Sequence, residues 1–329
     1  MKAVIPQTKK ITLPNVSERR QVHILNPKSG SQKYCEAARA AIAKTGGEIL
    51  ESTRAGEITE LVAGLFSRDP FAHAVVYGGD GTVYETVNGI MQSGHNATAS
   101  FSVVPAGSGN DFSAYVNDSG VFRKAELNRI DLIRTTVGGQ VRYSANVTNM
   151  GFDCDVVRET YKFKRIPVLR GPAAYIAGVV TTLIRKKAIS GKITMSGCAD
   201  RDGNPLLESV QSWDQKILLT ACANAQFYGG GFHAAPIASV SDGLMDVLVV
   251  RDVSRLRFVS LVKYYRDGTF IGEDGELLDK FKKVLDYRKC KKIVIDGPQW
   301  YCMDGEVLPT NGAPVEAEAV PGAVWYAAL

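Results

Sequence analysis

Acidic side chains set in short glycine-bearing runs are the residues of this sequence with the clearest chemical potential. Asp80 lies within the run Gly78-Gly79-Asp80-Gly81-Thr82, and Asp111 follows Gly109-Asn110. A carboxylate next to phosphate oxygens is repulsive unless a cation lies between them. Asp80 inside a phosphate-type glycine loop therefore indicates Mg²⁺ carried with a nucleotide, and Asp111 is a second carboxylate for the same ion.

Two further loops accompany this run, and all three follow predicted strands. The first loop comprises Asn26, Pro27, Lys28, Ser29 and Gly30, the second residues 78–82, and the third residues 105–111. Glycine lets backbone N–H groups approach phosphate oxygens without an intervening side chain. In open α/β sheets, ligands bind at the carboxyl ends of the strands. A single loop of this kind is equally well explained by a simple turn, but three on one sheet edge favour a nucleotide site.

The second loop opens directly into a predicted helix. The N-terminus of a helix carries unpaired N–H groups and partial positive charge, which suits a phosphate group. Thr82 is placed either to cap that helix or to bond a phosphate. The sequence has no GxGxxG after its first predicted strand and no GK[ST] anywhere, which counts against dehydrogenases and P-loop enzymes.

Two more acidic runs lie late in the chain. In Asp304-Gly305-Glu306, two acids flanking a glycine can point into one pocket from a tight turn. Glu306 is then a candidate to accept a proton from a substrate hydroxyl, and Asp304 to orient it or to join a metal network. The pattern alone favours a charged hairpin turn. The run from Asp242 to Asp246 indicates a turn before a strand, or one carboxylate that holds a hard cation together with carbonyl oxygens.

The composition bounds the class of protein. The chain has 329 residues, 45% of them hydrophobic and 22% charged, which is typical of a globular protein large enough for two domains. Its formal net charge of +5 is too small to indicate nucleic-acid binding but suits visits to anionic surfaces. The four histidines and six cysteines show no metal-ligand spacing. With no apolar stretch of roughly 18 residues and no signal core, we expect a cytoplasmic protein without a transmembrane segment.

The hydrophobic pattern predicts an α/β fold that changes character near residue 131. Residues 1–131 alternate strands with helices, as in a three-layer α/β domain built from parallel βαβ units. Residues 132–314 are rich in strands and predict a mainly antiparallel, β-sandwich-like domain. Predicted strands are 22–25, 48–52, 72–77, 101–104, 141–147, 192–196, 216–223, 245–250, 292–295 and 315–319, and predicted helices are 34–44, 58–66, 83–91, 173–184 and 256–265.

Taken together, these motifs resemble the diacylglycerol kinase catalytic-domain family, in particular the soluble bacterial lipid kinases. The matching segments are the three glycine-bearing loops, Asn88-Gly89, Asp242-Gly243 and residues 304–306, in the family's order and spread over most of the chain. The resemblance implies ATP as donor, a lipid hydroxyl as acceptor and an active site in the cleft between two domains. It also implies that residues 315–329 can return to the first domain.

The resemblance also implies a role for individual residues. Nucleotide contacts are implied for Asn26, Pro27, Lys28, Ser29, Gly30, Thr53, Gly78, Gly79, Asp80, Gly81, Thr82, Val83, Tyr84, Ser108, Gly109, Asn110 and Asp111. Asp80 and Asp111 resemble the carboxylates of the Mg²⁺–ATP network, and Glu306 resembles the general base, with Asp304 beside it. The Asp242 side chain and the carbonyl groups of Ser239 and Leu244 resemble a structural Mg²⁺ site. Asp131 resembles an acid of the charged network between the domains.

The sequence departs from the family in two basic positions. Ser31 follows the first loop, where many relatives carry lysine, and Lys28 and Lys33 are the candidates to replace that charge. A basic residue is also expected shortly before Gly171-Pro172, and the candidates are Lys164, Arg165 and Arg170. The missing lysine leaves room for a protein that binds lipid or nucleotide without catalysis.

Several acceptors and partners are compatible with the sequence. Diacylglycerol, giving phosphatidic acid, is the first expectation, with a sphingoid base, ceramide, phosphatidylglycerol or NAD as alternatives. Basic residues are dense in residues 162–187 and 280–292, and we expect these runs either to attract an anionic membrane, at its inner face, or to be ordinary solvated surfaces. The helix predicted over 173–184 lines a lipid pocket or packs in the core, and a homodimer is left open.

Overall fold

The computed structural model describes residues 13–30, 32–118, 120–163, 165–166, 172–207 and 210–329. The strands are β1 (Gln21–Leu25), β2 (Glu48–Glu51), β3 (His73–Gly78), β4 (Ser100–Pro105), β5 (Leu127–Val137), β6 (Gln140–Ser144), β7 (Val147–Gly151), β8 (Ile189–Ser196), β9 (Val210–Ala223), β10 (Met245–Arg251), β11 (Leu285–Cys290), β12 (Lys292–Ile295), β13 (Trp300–Met303), β14 (Glu306–Pro309) and β15 (Val315–Ala327). The helices are α1 (Gln32–Thr45), α2 (Glu57–Arg68), α3 (Asp80–Ser93), α4 (Asp111–Asp118), α5 (Phe152–Phe163), α6 (Pro172–Arg185) and α7 (Arg255–Asp267).

The N-terminal part is a parallel sheet with helices packed against it. Its strands lie in the order β4-β3-β1-β2, and every neighbouring pair is parallel. Strand β3 reads as an almost continuous apolar run because both of its faces are covered. Helix α2 buries Ile58, Val62, Leu65 and Phe66 against this sheet. The carboxyl ends of β1, β3 and β4 therefore meet at one edge, where the three glycine-bearing loops begin.

The later part is mainly antiparallel. Strands β14, β13, β7, β9, β8 and β12 follow one another, and β10 and β11 extend the sheet from β9. The predicted fold class, an α/β domain followed by an antiparallel β-sandwich-like domain, is confirmed. The predicted strand 141–147 is wrong in detail, because residues 145 and 146 form a turn that separates β6 from β7.

Strand β15 joins the two parts into one continuous sheet. It pairs antiparallel with β12 and β5, and at Trp325 and Tyr326 it pairs parallel with β4. Tyr326 is fully buried and its ring meets the rings of Phe101 and Phe112 edge to face, with centroids 5.1 and 5.7 Å apart. Its hydroxyl group donates to Asn117 Oδ1 at 2.8 Å. The strand thus places a large anchor inside the core of the N-terminal part.

Elements that the sequence pattern did not predict include α4, α5, β11, β13 and β14. Helix α4 is short, and α5 interrupts a region dominated by strands. The basic run 280–292 forms a turn region, strand β11 and the first residue of β12. Lys164, Arg170, Gly171 and Ser31 lie outside the described residues.

The Tyr326 anchor predicts a graded loss of stability. Tyr326→Ala should lower the free energy of unfolding by about 3–5 kcal/mol, because it leaves a cavity among aromatic rings. Tyr326→Phe keeps the ring and removes a hydrogen bond, so it should cost only about 1 kcal/mol. Urea unfolding followed by circular dichroism measures both. Equal, small losses for the two variants would show that the ring does not anchor β15.

Candidate functional site

The three glycine-bearing loops are hydrogen-bonded to one another. Asn26 Nδ2 donates to Thr82 Oγ1 at 3.0 Å, and the Gly79 N–H donates to Ser29 Oγ at 3.1 Å, so the first loop binds the second. The Ala106 N–H donates to the Gly78 carbonyl at 2.9 Å, which binds the third loop to the second. The loops that were singled out by their sequence therefore form one contiguous surface.

Glycine is required where the second and third loops cross. A Cβ built on Gly79 would lie 2.8 Å from the Gly107 Cα atom, and a Cβ on Gly107 would lie 2.5 Å from the Gly79 Cα atom. Contacts this short do not occur between real atoms, so a side chain at either position would force the loops apart. The close approach is closed by Asn110, whose side chain accepts from the Gly107 N–H at 2.7 Å and donates to the Gly107 carbonyl at 2.8 Å.

Helix α3 begins in the middle of this surface. Its N-cap residue is Gly79, which has no side chain to accept from the first N–H groups of the helix. These donors and the positive end of the helix dipole face the loops, an arrangement that suits an anionic group such as a phosphate. Thr82 is buried, and its hydroxyl accepts from Asn26, so it holds the first loop in place.

Asp80 lies in the first turn of α3 and reaches the next helix. Its Oδ2 accepts from the Asp111 N–H at 3.3 Å, and its Oδ1 accepts from the Phe112 N–H at 3.1 Å. The carboxylate thereby caps the N-terminus of α4, where negative charge is favourable. A Cβ at Gly109 would lie 2.9 Å from Asp80 Oδ2, so the loop leaves room for this carboxylate.

Asp111 is held from the opposite direction by a loop far along the chain. Its two carboxylate oxygens accept from the N–H groups of Gly230 and Gly231 at 2.8 and 2.7 Å. Burial raises the pKa of Asp111, the two N–H donors oppose this, and the negative charge of Asp80 raises it further. This loop was not among the predicted site residues. The run of three glycines, Gly229 to Gly231, is the sequence signal that could have indicated it. In the structure all three have positive φ.

Asp304 is a buried carboxylate with a complete set of donors. Its oxygens accept from the N–H groups of Ala145, Asn146 and Val147 at 2.8, 3.1 and 2.8 Å. Burial raises the pKa of Asp304 to about 7, against the lowering effect of these donors. Asp304 therefore fixes the turn between β13 and β14 on the turn between β6 and β7.

Glu306 follows on the same hairpin turn and lies against the second loop. Its Oε1 lies 3.5 Å from the position that a Cβ on Gly81 would occupy. The pKa of Glu306 is raised, first by the loss of hydration among its neighbours and then by the negative charge of Glu85. Tyr161 donates to the Gly305 carbonyl at 3.2 Å and so supports the turn. Sequence reasoning brought Glu306 to the loops but missed Glu85, which carried no motif.

Of the other residues predicted to contact a nucleotide, some are exposed and others have buried side chains. Lys28, Thr53 and Ser108 are exposed at the carboxyl edge of the sheet, whereas the side chains of Val83 and Tyr84 are buried. Of the predicted basic replacements, Lys33 and Arg165 are exposed. Sequence reasoning did not single out Arg142, whose charge acts on the buried Tyr84.

The residues at the loops fit a nucleotide with a divalent cation. Glycine backbones, the open start of α3 and the two carboxylates Asp80 and Asp111 supply N–H donors for phosphates and oxygen ligands for a hard cation. Among the described residues, no three His, Cys, Asp or Glu side chains converge to hold a metal ion by themselves. A cation bound beside Asp80 and Asp111 would need further oxygen ligands, which the phosphate groups of a nucleotide can supply.

The residues predicted to hold a structural metal ion, Ser239, Asp242 and Leu244, lie in a loop whose carboxylate is already paired with a lysine. Asp242 Oδ2 accepts from Lys289 Nζ at 2.8 Å, and Asp242 Oδ1 accepts from the Leu244 N–H at 3.0 Å. The Ser239 hydroxyl lies 3.5 Å from the Ser241 hydroxyl. Asp131 accepts from the N–H groups of Gly243 and Gly322, both at 2.6 Å, so it joins this loop to β15.

The fold, with an acidic hairpin of the β-rich part lying against the glycine-bearing loops, agrees with that of the diacylglycerol kinase type. The sequence matches the "Diacylglycerol kinase catalytic domain" family over residues 20–140 and the "YegS C-terminal NAD kinase beta sandwich-like domain" family over residues 146–327. The chain belongs to the family of YegS-type lipid kinases that combine these two domains.

Similar proteins carry names in agreement with this family. The chain is 27% identical to the "Putative lipid kinase YtlR" of Bacillus subtilis over 256 residues, which cover 72% of this chain and 74% of the relative. It is 27% identical to the "Probable lipid kinase YegS-like" of Chromohalobacter salexigens over 243 residues, 71% of this chain and 72% of the relative. A crystal structure of a diacylglycerol kinase from Bacillus anthracis matches the fold with a TM-score of 0.62 at 19% identity, covering 94% of this chain and 97% of that one.

The pKa of Asp304 predicts a pH-dependent cost of removing its charge. With a folded-state pKa of about 7, above the ordinary value of 3.8, the folded protein binds a proton between these pH values that the unfolded chain does not. The free energy of unfolding of the native protein, relative to that of Asp304→Asn, should therefore fall by about 1.4 kcal/mol for each unit by which the pH rises within that window. The penalty of Asp304→Asn should be largest near pH 5 and smallest near pH 8.

Urea unfolding of both proteins at these two pH values measures the effect. Asp296→Asn, which replaces an exposed acid, serves as the control. A penalty that grows as the pH rises would show instead that the three N–H donors hold Asp304 ionised, with a pKa below its ordinary value.

Proposed function

We propose that the chain transfers the γ-phosphoryl group of ATP, bound with Mg²⁺, to a lipid hydroxyl group, with diacylglycerol as the acceptor and phosphatidic acid as the product. The observation that carries the proposal is the contact between the two halves of the site. Glu306, from the β-rich part, lies against Gly81 in the first turn of α3. A carboxylate beside the predicted phosphate site is where a base for an attacking hydroxyl is required.

Each acid has a separate task in this proposal. Bound ATP and its cation would supply the phosphoryl group and much of the charge neutralisation. Glu306 accepts the proton of the acceptor hydroxyl, and its raised pKa brings it nearer to the working pH than an ordinary glutamate. Asp304 uses its oxygens on three backbone N–H groups, so it acts as a positioning residue that fixes the turn carrying Glu306.

The phosphate side depends on backbone groups and two aspartates. When a nucleotide and a cation are bound, N–H groups at the start of α3 would hold phosphate oxygens, and Asp80 and Asp111 would hold a divalent cation. Since both aspartates also accept backbone N–H bonds, their carboxylates are held in place before any ligand binds. Such preorganisation is the main source of catalysis in phosphoryl transfer.

The choice of a lipid acceptor rests on the family and on the printed names of the relatives. Diacylglycerol is supported by the name of the matched catalytic-domain family. Because the matched C-terminal family is named for its likeness to NAD kinase, NAD is the acceptor to test against it.

The base assignment predicts a selective loss of turnover. Glu306→Gln keeps the shape of the side chain but cannot accept the hydroxyl proton, so kcat with diacylglycerol should fall by about 10²–10⁴-fold. Binding of a fluorescent ATP analogue should stay close to that of the native protein. Because the pKa of Glu306 is raised, the acid limb of the native kcat/KM profile should lie above the ordinary glutamate value and should vanish in the variant.

The assay uses radiolabelled ATP with diacylglycerol, ceramide, sphingosine, phosphatidylglycerol and NAD. Glu316→Gln, an acid on β15 that pairs with Lys292, is the matched control and should retain native turnover. Near-native turnover in Glu306→Gln would remove the base assignment. Phosphorylation of NAD in preference to every lipid would remove the proposed acceptor.

A lipid acceptor requires contact with a membrane, and we propose that α6 and α7 provide it. No helix among the described residues is long and apolar enough to cross a bilayer. Helix α6 exposes Ile176, Val180 and Ile184, which share one helix face, and α7 exposes Leu256 and Val259. Arg255 Nε and Nη2 donate to the carbonyls of Leu183 and Ile184 at 3.0 and 2.9 Å, which holds the two helices together.

Exposed basic residues lie close in sequence to these apolar side chains. They are Arg185, Lys187, Arg257 and Lys263. Exposed apolar side chains with basic residues close by in sequence suit an anionic membrane surface, since each such charge adds about 1 kcal/mol there. The chain would then work as a peripheral enzyme at the inner face of the membrane.

The docking surface predicts a loss of vesicle binding. Ile184→Asn combined with Leu256→Asn should weaken binding to phosphatidylglycerol vesicles by about tenfold or more, because two exposed side chains no longer enter the bilayer boundary. Sedimentation with vesicles measures the effect, and vesicles of phosphatidylcholine alone test the contribution of charge. Phe71→Ser is the control, because Phe71 is an exposed aromatic residue that lies just before β3 and outside α6 and α7. Equal sedimentation of the double variant and the control would exclude this surface.

A further inference from the structure

Lys289 carries a buried positive charge at the loop that resembles a metal site. It is 3% exposed and lies on β11 directly opposite Asp246 of β10. Its Nζ donates to the carbonyl of Ile237 at 3.1 Å, to Asp242 Oδ2 at 2.8 Å and to Asp246 Oδ2 at 2.7 Å. A lysine ammonium has three N–H donors, so all of them are used.

The two carboxylates are held in complementary ways. Asp246 is 1% exposed and also accepts from the Tyr287 hydroxyl at 2.8 Å. Asp242 is more accessible, and its second oxygen accepts from the Leu244 N–H within the loop. A buried charge is tolerated when it is both paired and fully hydrogen-bonded, and Lys289 satisfies both conditions.

Both oxygens of the Asp242 carboxylate already have donors, Lys289 Nζ on Oδ2 and the Leu244 N–H on Oδ1. The resemblance places Mg²⁺ between the Asp242 side chain and the carbonyl groups of Ser239 and Leu244. Mg²⁺ requires oxygen ligands at about 2.0–2.1 Å in a near-octahedral set, and a cation there would be repelled by the ammonium that already contacts the same carboxylate. The residues of this chain therefore do not fit the expected metal.

We propose that Lys289 Nζ takes the place of a divalent cation, so that residues 239–244 keep their structure without bound metal. The loop needs such support because it joins separate strands. The Asp131 N–H donates to the Val240 carbonyl at 2.7 Å, and the Asp131 carboxylate accepts from Gly243 in the loop and Gly322 in β15. The inference concerns the fold, and its test is independent of the proposed phosphoryl transfer.

Thermal unfolding of nucleotide-free protein tests the replacement. The native protein should show the same Tm in EDTA, in MgCl₂ and in CaCl₂. Lys289→Met should lower the Tm in EDTA by about 5–10 °C, because two carboxylates lose their shared counter-ion. Adding MgCl₂ or CaCl₂ should then raise the Tm of this variant in a saturable manner. Lys291→Met, an exposed lysine two residues further on, should show neither effect.

Two results would overturn the proposal. One is a native Tm that rises saturably with Mg²⁺ or falls in EDTA, and the other is a destabilised Lys289→Met that gains nothing from either cation. If Lys289→Met does not fold, Mn²⁺ binding to the native protein, followed by electron paramagnetic resonance, decides. Binding that is lost in Asp242→Asn but kept in Asp80→Asn would place a cation at the loop and reject the proposal. The absence of any such binding supports it.

Discussion

Hydrogen bonds from backbone N–H groups to aspartate carboxylates hold the site together. Asp80, Asp111 and Asp304 each accept two or three such bonds, and for Asp111 and Asp304 the donors lie more than 100 residues away in sequence. Asp131 does the same between the residue 239–244 loop and β15. Each carboxylate thus works as a cross-link between segments that the order of the chain separates.

This constraint explains why the site contains acids that cannot all serve the chemistry. A carboxylate that spends its acceptor capacity on the backbone is fixed in direction but has fewer lone pairs left for a ligand. Asp304 is the extreme case, because three donors surround it in the interior. Glu306 is different, since its carboxylate stands against the glycine loop. Asp304 therefore supports the turn, and its neighbour Glu306 is the residue that we propose as the base.

The sequence predicted the first half of the fold well, because apolar runs ending in glycine-rich loops are local signals. The strands β1, β3 and β4 and the loops that follow them were found from residues alone. The donors that hold Asp304 were not found, because the N–H groups of Ala145, Asn146 and Val147 belong to residues of no distinctive type, and the glycine run that holds Asp111 was overlooked. The single strand predicted over 141–147 failed for a related reason. The N–H groups of the turn at residues 145 and 146 donate to Asp304, and the turn contains no glycine or proline that would have marked it.

The position of β15 has a consequence for how the protein is made. Its residues complete the N-terminal sheet next to β4, yet they leave the ribosome after more than 300 others. Until then β4 presents an unpaired edge, and the core around Phe101 and Phe112 lacks the ring of Tyr326. The N-terminal sheet and its core are therefore incomplete until β15 has been synthesised. A chain truncated before β15 would therefore expose the unpaired edge of β4, which is prone to aggregation and can be recognised by chaperones or proteases.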